Sequence, residues 1–108
     1  MRSELLKGHL DSLVLALLEE GPLHGYGVIE QLRVRSGETF DLPEGTVYPA
    51  LYRLERAGSV TSTRASVGGR PRRVYRLARP GRAALKESRR DWLQFSSAVS
   101  EILRPRPA

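Results

Sequence analysis

The stretch from Pro43 to Gly58 constrains the fold more than any other part of the sequence. Its apolar residues recur at the i, i+3, i+4, i+7 spacing of a helix that turns one side to a core. These residues are Val47, Ala50, Leu51 and Leu54. The opposite side lacks the Glu/Lys mixture of a solvated helix and carries hydroxyls, rings and guanidinium groups. Its residues are Thr46, Tyr48, Pro49, Tyr52, Arg53 and Arg56. The pattern therefore predicts a core helix with one surface that contacts a partner.

Pro49 limits where this helix begins, because a proline in a helix interior loses a hydrogen bond and strikes the carbonyl four residues earlier. A proline is tolerated in the first turn, so we place the start at Gly45 or Thr46, with Thr46 as the candidate N-cap. Gly58 supplies the left-handed conformation that ends a helix. The N-terminal end then carries Thr46 and Tyr48, and a recognition helix reads the DNA major groove with that end.

Positive charge is concentrated in one part of the chain. The 108 residues include 18 Lys and Arg and 12 Asp and Glu, a net charge of +6. Nine of these cations and none of the carboxylates lie from Arg56 to Lys86, so the rest holds nine cations against twelve carboxylates. Most of the cations are Arg, which suits bidentate contacts with phosphate and guanine. A G+C-rich genome would also favour Arg over Lys, but it does not explain the clustering.

Length and composition exclude several classes of protein. The chain is long enough for one domain, and its longest apolar run, residues 13–18, is too short to span a membrane. Without a secretory signal, we expect a cytoplasmic protein. Without any cysteine, we expect no disulfide and no thiolate metal site. His9 and His24 have no clustered carboxylate, so neither is expected to bind metal. No phosphate loop or activated nucleophile is present, so we expect neither an enzyme nor a cofactor.

Two apolar segments precede the central helix. Residues 10–18 have helical spacing and end at Gly21-Pro22. After a turn, residues 26–36 predict a second helix in which Tyr26, Ile29 and Arg33 share one stripe. Two helices joined through a turn and a short connector, the second with an unusual polar face, indicate a helix-turn-helix.

The pattern after Gly58 becomes β-rich. Residues 60–65 and 72–77 predict two strands, joined by six residues around Gly68-Gly69. Beside a helix-turn-helix such a ribbon is a wing, and its tip at Gly68-Gly69-Arg70 can approach a narrow minor groove. A solvated arginine hairpin is the alternative interpretation.

The last segment predicts a long helix with Pro80 at its first position. A heptad seam runs along it over about two heptads, formed by Leu85, Trp92, Phe95, Val99 and Ile102. A helix folded back on the domain would give a similar pattern, but a seam with the only Trp favours a second subunit. The expected fold is mainly α with a small β-hairpin. It comprises a winged helix-turn-helix domain at residues 1–79 and a C-terminal dimerisation helix and tail at 80–108.

Several runs together resemble the PadR family of bacterial winged-helix transcriptional regulators. They are Leu6-Lys7-Gly8, residues 21–26, residues 45–55 with their tyrosine-proline pair, residues 68–77 and Gly81. The likeness covers most of the chain and matches the short subgroup, which has a single C-terminal dimerisation helix. Gly27 stands where relatives often have Glu, and Ala78 where a Thr usually caps the last helix, which weakens that cap by about 1 kcal/mol.

The resemblance implies a homodimer that represses transcription, with the third helix of each subunit in the major groove of double-stranded DNA. By position, the DNA-binding residues would be Thr46, Tyr48, Pro49, Tyr52, Arg53, Gly69, Arg70, Arg72 and Arg73. In some relatives a Trp of the last helix stacks on a flat aromatic effector in the dimer interface, and Trp92 is similarly placed. Packing in the dimer core, with no ligand, is the alternative role for Trp92. A winged-helix module that binds a protein, with weak or no DNA binding, is the competing function.

Overall fold

The computed structural model describes Leu6 and residues 8–107; residues 1–5, Lys7 of the first family motif and Ala108 lie outside it. The elements, in chain order, are α1 (Leu10–Glu19), β1 (Leu23–His24), α2 (Gly25–Arg35), α3 (Glu44–Arg56), β2 (Val60–Val67), β3 (Arg70–Leu77) and α4 (Arg79–Leu103). The strands form an antiparallel sheet in the order β1-β3-β2. The predicted winged helix-turn-helix is confirmed. Within the described residues, no helix has the length and apolar character needed to cross a membrane.

One hydrophobic core joins α1, α2 and α3 to the sheet and to the start of α4. Helix α3 contributes the four apolar residues predicted from its periodicity, Val47, Ala50, Leu51 and Leu54. Tyr75 of β3 and Leu85 of α4 belong to the same core, and each is only 2% exposed. Because its apolar side is fixed in this way, α3 must turn its polar side outward.

Helix α3 begins earlier than predicted. Its first residue is Glu44 and its N-cap is Pro43, so Thr46 is not the N-cap. The Thr46 N–H donates to the carbonyl of Pro43 at 3.0 Å. Pro49 is therefore the sixth helical residue, not a first-turn residue. The carbonyl that loses its hydrogen bond belongs to Gly45, which is exposed, so water can replace the missing donor. The end at Gly58 is confirmed, since Gly58 has φ +78° and the Ser59 N–H donates to the Leu54 carbonyl.

The sheet differs from the predicted hairpin in two ways. Only Gly68 and Gly69 connect β2 to β3, so the six-residue connection was wrong. Both glycines have positive φ, +59° and +78°, as the two-residue turns that match strand twist require. The flanking residues predicted as loop instead pair across the ribbon, Ser66 with Pro71 and Val67 with Arg70. The short strand β1 was predicted as a turn, yet Leu23 and His24 pair with β3.

Helix α4 has two different halves. It begins at Arg79, so Pro80 occupies the second position rather than the first. In the first half Gly81 lies so close to the end of α3 that a Cβ there would be 2.1 Å from the Ser59 carbonyl oxygen. Arg89 donates two hydrogen bonds to Glu19 of α1, at 2.8 and 3.1 Å. The second half carries exposed apolar side chains, Trp92, Leu93, Phe95, Ile102 and Leu103.

The predicted seam on α4 therefore needs one correction. Leu85 is buried in the core of the single chain and has no surface left for a second subunit. The seam that remains open begins at Trp92 and continues through Phe95 to Ile102, with Val99 partly buried.

Candidate nucleic-acid interface

The outer face of α3 presents most of the residues that the sequence singled out. Thr46, Pro49, Tyr52 and Arg53 are all exposed, and Tyr52 is 58% exposed. They extend along the helix from Thr46 in its first turn to Arg53 in its last turn. Arg53 is also tied to α1, since its Nη2 donates to Oδ1 of Asp11 at 2.9 Å. The face thus offers hydroxyl, ring and guanidinium groups, which are suited to base edges and phosphates.

Tyr48 is held differently from its neighbours on α3. It is only partly exposed, and its ring fills the space that Gly25 leaves at the start of α2. A Cβ at Gly25 would lie 2.3 Å from the tip of that ring. Burial raises the pKa of the Tyr48 phenol above its ordinary value. The position of Tyr48 therefore depends on a glycine in another helix.

Tyr26, the second residue of α2, connects α3 to the wing. Its ring meets the Tyr48 ring edge-on, with centroids 6.1 Å apart. On its face lies Arg72 of β3, whose Cζ is 4.9 Å from the ring centroid, a cation–π contact. Hydrogen bonding to Glu44, together with the charge of that carboxylate, raises the pKa of the Tyr26 phenol. Sequence reasoning placed Tyr26 only in a helix stripe and missed this role.

A second connection joins α3 to the wing on the other side of the ribbon. Ser62 Oγ donates to Oε2 of Glu55 at 2.5 Å, and Arg73 Nη1 donates to Ser62 Oγ at 3.0 Å. Neighbouring residues of a strand point to opposite faces, so Arg72, which contacts Tyr26 of α2, and Arg73, which contacts Ser62, lie on opposite sides of the ribbon. The ribbon consequently stands beside α3.

The outer part of the ribbon is strongly basic. Arg64, Arg70, Arg73 and Arg76 are exposed, as is Gly69 at the tip. Arg76 Nη1 donates to Thr63 Oγ1 on the neighbouring strand at 2.9 Å. A shallow groove runs between the wing and α2, lined by Tyr26, Arg70, Pro71 and Arg72. Guanidinium and phenol donors around an open groove are suited to the phosphates of a nucleic-acid backbone.

Comparison with known proteins identifies the family. The sequence profile of the PadR-like family of transcriptional regulators matches residues 14–87. The chain belongs to the PadR-like family. An uncharacterised protein of Lysinibacillus sphaericus is 30% identical over 100 residues, which cover 92% of each chain. A match of shorter span is a transcriptional regulator of Mycobacterium tuberculosis, 42% identical over 71 residues that cover 66% of this chain and 64% of that protein.

Solved structures share the fold along almost the whole chain. A transcriptional regulator from Clostridium thermocellum has a TM-score of 0.88 at 26% identity, covering 96% of this chain and 99% of that one. A PadR family transcriptional regulator from Eggerthella lenta has a TM-score of 0.82 at 31% identity, covering 96% and 89%. As a PadR-like protein, this chain is a DNA-binding regulator of transcription and not an enzyme.

Proposed function

We propose that the protein is a repressor that binds a palindromic operator as a homodimer. Helix α3 of each subunit enters the major groove, and the two half-sites lie about 34 Å apart, one helical turn of DNA. The observation that supports this most is the position of the arginine-rich ribbon beside the polar face of α3. Contacts of Arg72 with Tyr26 of α2 and of Ser62 with Glu55 of α3 hold it there.

The two parts of this surface have different roles in the proposal. Thr46, Pro49 and Tyr52 contact base edges, and Tyr48 contributes the part of its side chain that is not packed against Gly25. The phosphate contacts come from Arg53 of the helix and from the wing, through Gly69, Arg70, Arg72 and Arg73. We assign DNA binding to residues 1–79, dimerisation to residues 80–108 and the protein to the cytoplasm.

The second half of α4 supports the dimer. Trp92, Phe95 and Ile102 are 52%, 58% and 83% exposed, and the Trp92 and Phe95 rings lie 6.2 Å apart. Contiguous exposed apolar side chains of this kind mark interaction surfaces. A Phe95→Glu, Ile102→Glu variant should sediment as a folded monomer, while Leu85 continues to hold α4 to the domain. A wild-type protein that sediments as a monomer at micromolar concentration would contradict the dimer.

An aromatic effector is a further part of the proposal. Trp92 lies edge-on to His9, with ring centroids 5.4 Å apart, and about half of its surface is open. A planar aromatic compound that stacks on Trp92 should quench its fluorescence and cause the protein to release DNA. Because Trp92 is the only Trp, the signal has one source. If no compound of a broad panel changes either signal, Trp92 acts in packing alone.

Retardation and footprinting on the protein's own promoter region test the DNA-binding mode. We expect two protected half-sites related by two-fold symmetry. The Tyr52→Ala variant separates this function from the competing one, a protein-binding module. Loss of DNA retention supports the repressor, whereas loss of partner capture with DNA retention intact supports the module.

A further inference from the structure

Ser62 lies between a carboxylate of α3 and a guanidinium of the wing. Its hydroxyl donates to Glu55 at 2.5 Å and accepts from Arg73 at 3.0 Å. A serine hydroxyl has one proton to donate and two lone pairs that accept, so both bonds can form together. Since Glu55 takes the proton, a lone pair is left for Arg73. Ser62 and Glu55 are partly buried, while Arg73 is exposed.

The strand register gives this arrangement a rigid base. Ser62 pairs with Tyr75, and Arg64 pairs with Arg73, so Ser62, Tyr75 and Arg73 share one face of the ribbon. Tyr75 is among the most deeply buried residues of the core, at 2% exposure. The hydroxyl therefore occupies a fixed position relative to both α3 and the core.

Arg73 differs from arginines that pair directly with a carboxylate. Arg53 is 2.9 Å from Asp11, and Arg89 is 2.8 Å from Glu19. In such a pair the carboxylate offsets the positive charge of the guanidinium and occupies N–H donors that a phosphate would need. The ion pairs found among the described residues do not include Arg73. The neutral Ser62 hydroxyl accepts from one of the five N–H donors of Arg73 and leaves the others free.

We propose that Ser62 and Glu55 are positioning residues that hold Arg73 ready for a backbone phosphate of duplex DNA. The proposal rests on the DNA-binding function given above and adds two residues to it. Because Arg73 is already held, its side chain loses less rotamer freedom when it meets the phosphate. Neither Ser62 nor Glu55 needs to touch DNA.

A double-mutant cycle on the promoter fragment tests this proposal. We expect Ser62→Ala to weaken binding about three-fold to ten-fold, the cost of ordering one long side chain. In an Arg73→Ala background the same change should have no further effect, because Ser62 acts only through Arg73. Ser62→Thr retains the hydroxyl and should restore most of the affinity. Thr61→Ala, on the same strand but the other face, is the matched control, and thermal melts verify that each variant folds.

The outcomes separate the two proposals. Equal losses from Ser62→Ala in both backgrounds, or no loss in the wild-type background, would overturn the positioning role while DNA binding stands. No binding of the wild-type protein to any DNA would overturn both.

Discussion

Helix α3 and the β2–β3 ribbon are fixed to the molecule in opposite ways. Four buried apolar side chains hold α3, and its open face carries rings, hydroxyls and an arginine already paired with Asp11. The buried residues of the ribbon are Val60, Val74 and Tyr75 alone. Of its exposed arginines, Arg73 and Arg76 donate to hydroxyls, and none belongs to an ion pair among the described residues. A rigid face with little free charge suits base edges, whereas unneutralised arginines suit phosphates. The comparison predicts sequence discrimination from α3 and salt-dependent affinity from the ribbon.

The largest effect is expected where the two parts meet, from Gly25→Ala. The new methyl would overlap the Tyr48 ring, so Tyr48 must leave Tyr26, and stability should fall by about 1–3 kcal/mol. Operator binding should fall as well. Gly27→Ala is the matched control, because a Cβ there meets its nearest neighbours at 3.3 Å or more. The His24 ring has to shift by a few tenths of an ångström to admit this methyl, which offsets part of the gain of up to about 1 kcal/mol that Ala brings to a helix, so stability should change little. Equal thermal shifts in both variants would show that Tyr48 is not held by Gly25.

On α3 alone, Tyr52→Ala should remove base contacts. Operator affinity should fall by about 1–3 kcal/mol, while binding to random duplex stays within a few-fold of wild type. Competition titrations with both DNAs measure the difference, and Tyr52→Phe controls for the ring. An equal loss on both DNAs would place Tyr52 at the backbone instead.

On the ribbon alone, Arg70→Ala should act on all sequences equally. The slope of log K against log salt concentration should become shallower by about two, because the dimer loses one phosphate contact in each subunit. Arg104→Ala, at the far end of α4, is the matched control, because it removes the same charge outside the surface formed by α3 and the ribbon. A change in sequence preference with an unchanged slope would reverse the roles of α3 and the ribbon.

The smallest effect is expected from Asp11→Asn, and it is a gain. The Asp11–Arg53 pair is exposed, with side chains 44% and 59% accessible, and such pairs contribute about 0–1 kcal/mol. Freed from it, Arg53 can meet a phosphate, so affinity should rise about two-fold to five-fold. Weaker binding would show that Asp11 orients Arg53 for DNA rather than competing with it. Asp91→Asn, on α4, controls for the charge change.

Features encoded locally could be predicted from the sequence. The apolar side of α3 follows from residue spacing, and Gly58 marks the end of that helix by its conformation. The start was misplaced because Pro49 was assumed to need the first turn, although the carbonyl of Gly45 is open to water. The ribbon was predicted too short because residues 66–71 were all assigned to the connection around Gly68-Gly69, although the outer four of them pair.

Features that depend on distant parts of the chain could not be predicted. The ring of Tyr48 rests on Gly25 and that of Tyr26 on Arg72, and each contact exists only after the helices and β1 are assembled. The heptad spacing of α4 likewise cannot distinguish Leu85, which packs in the chain's own core, from Trp92, which stays open.

The central claim is that α3 and the ribbon form one duplex-binding surface. The salt dependence of promoter binding tests it most directly. Arg70, Arg72 and Arg73 of two subunits would together neutralise about six phosphates, which predicts a slope of log K against log salt of about −5. Replacing all three with Ala should remove most of that slope. Wild-type binding that does not change with salt would contradict the account.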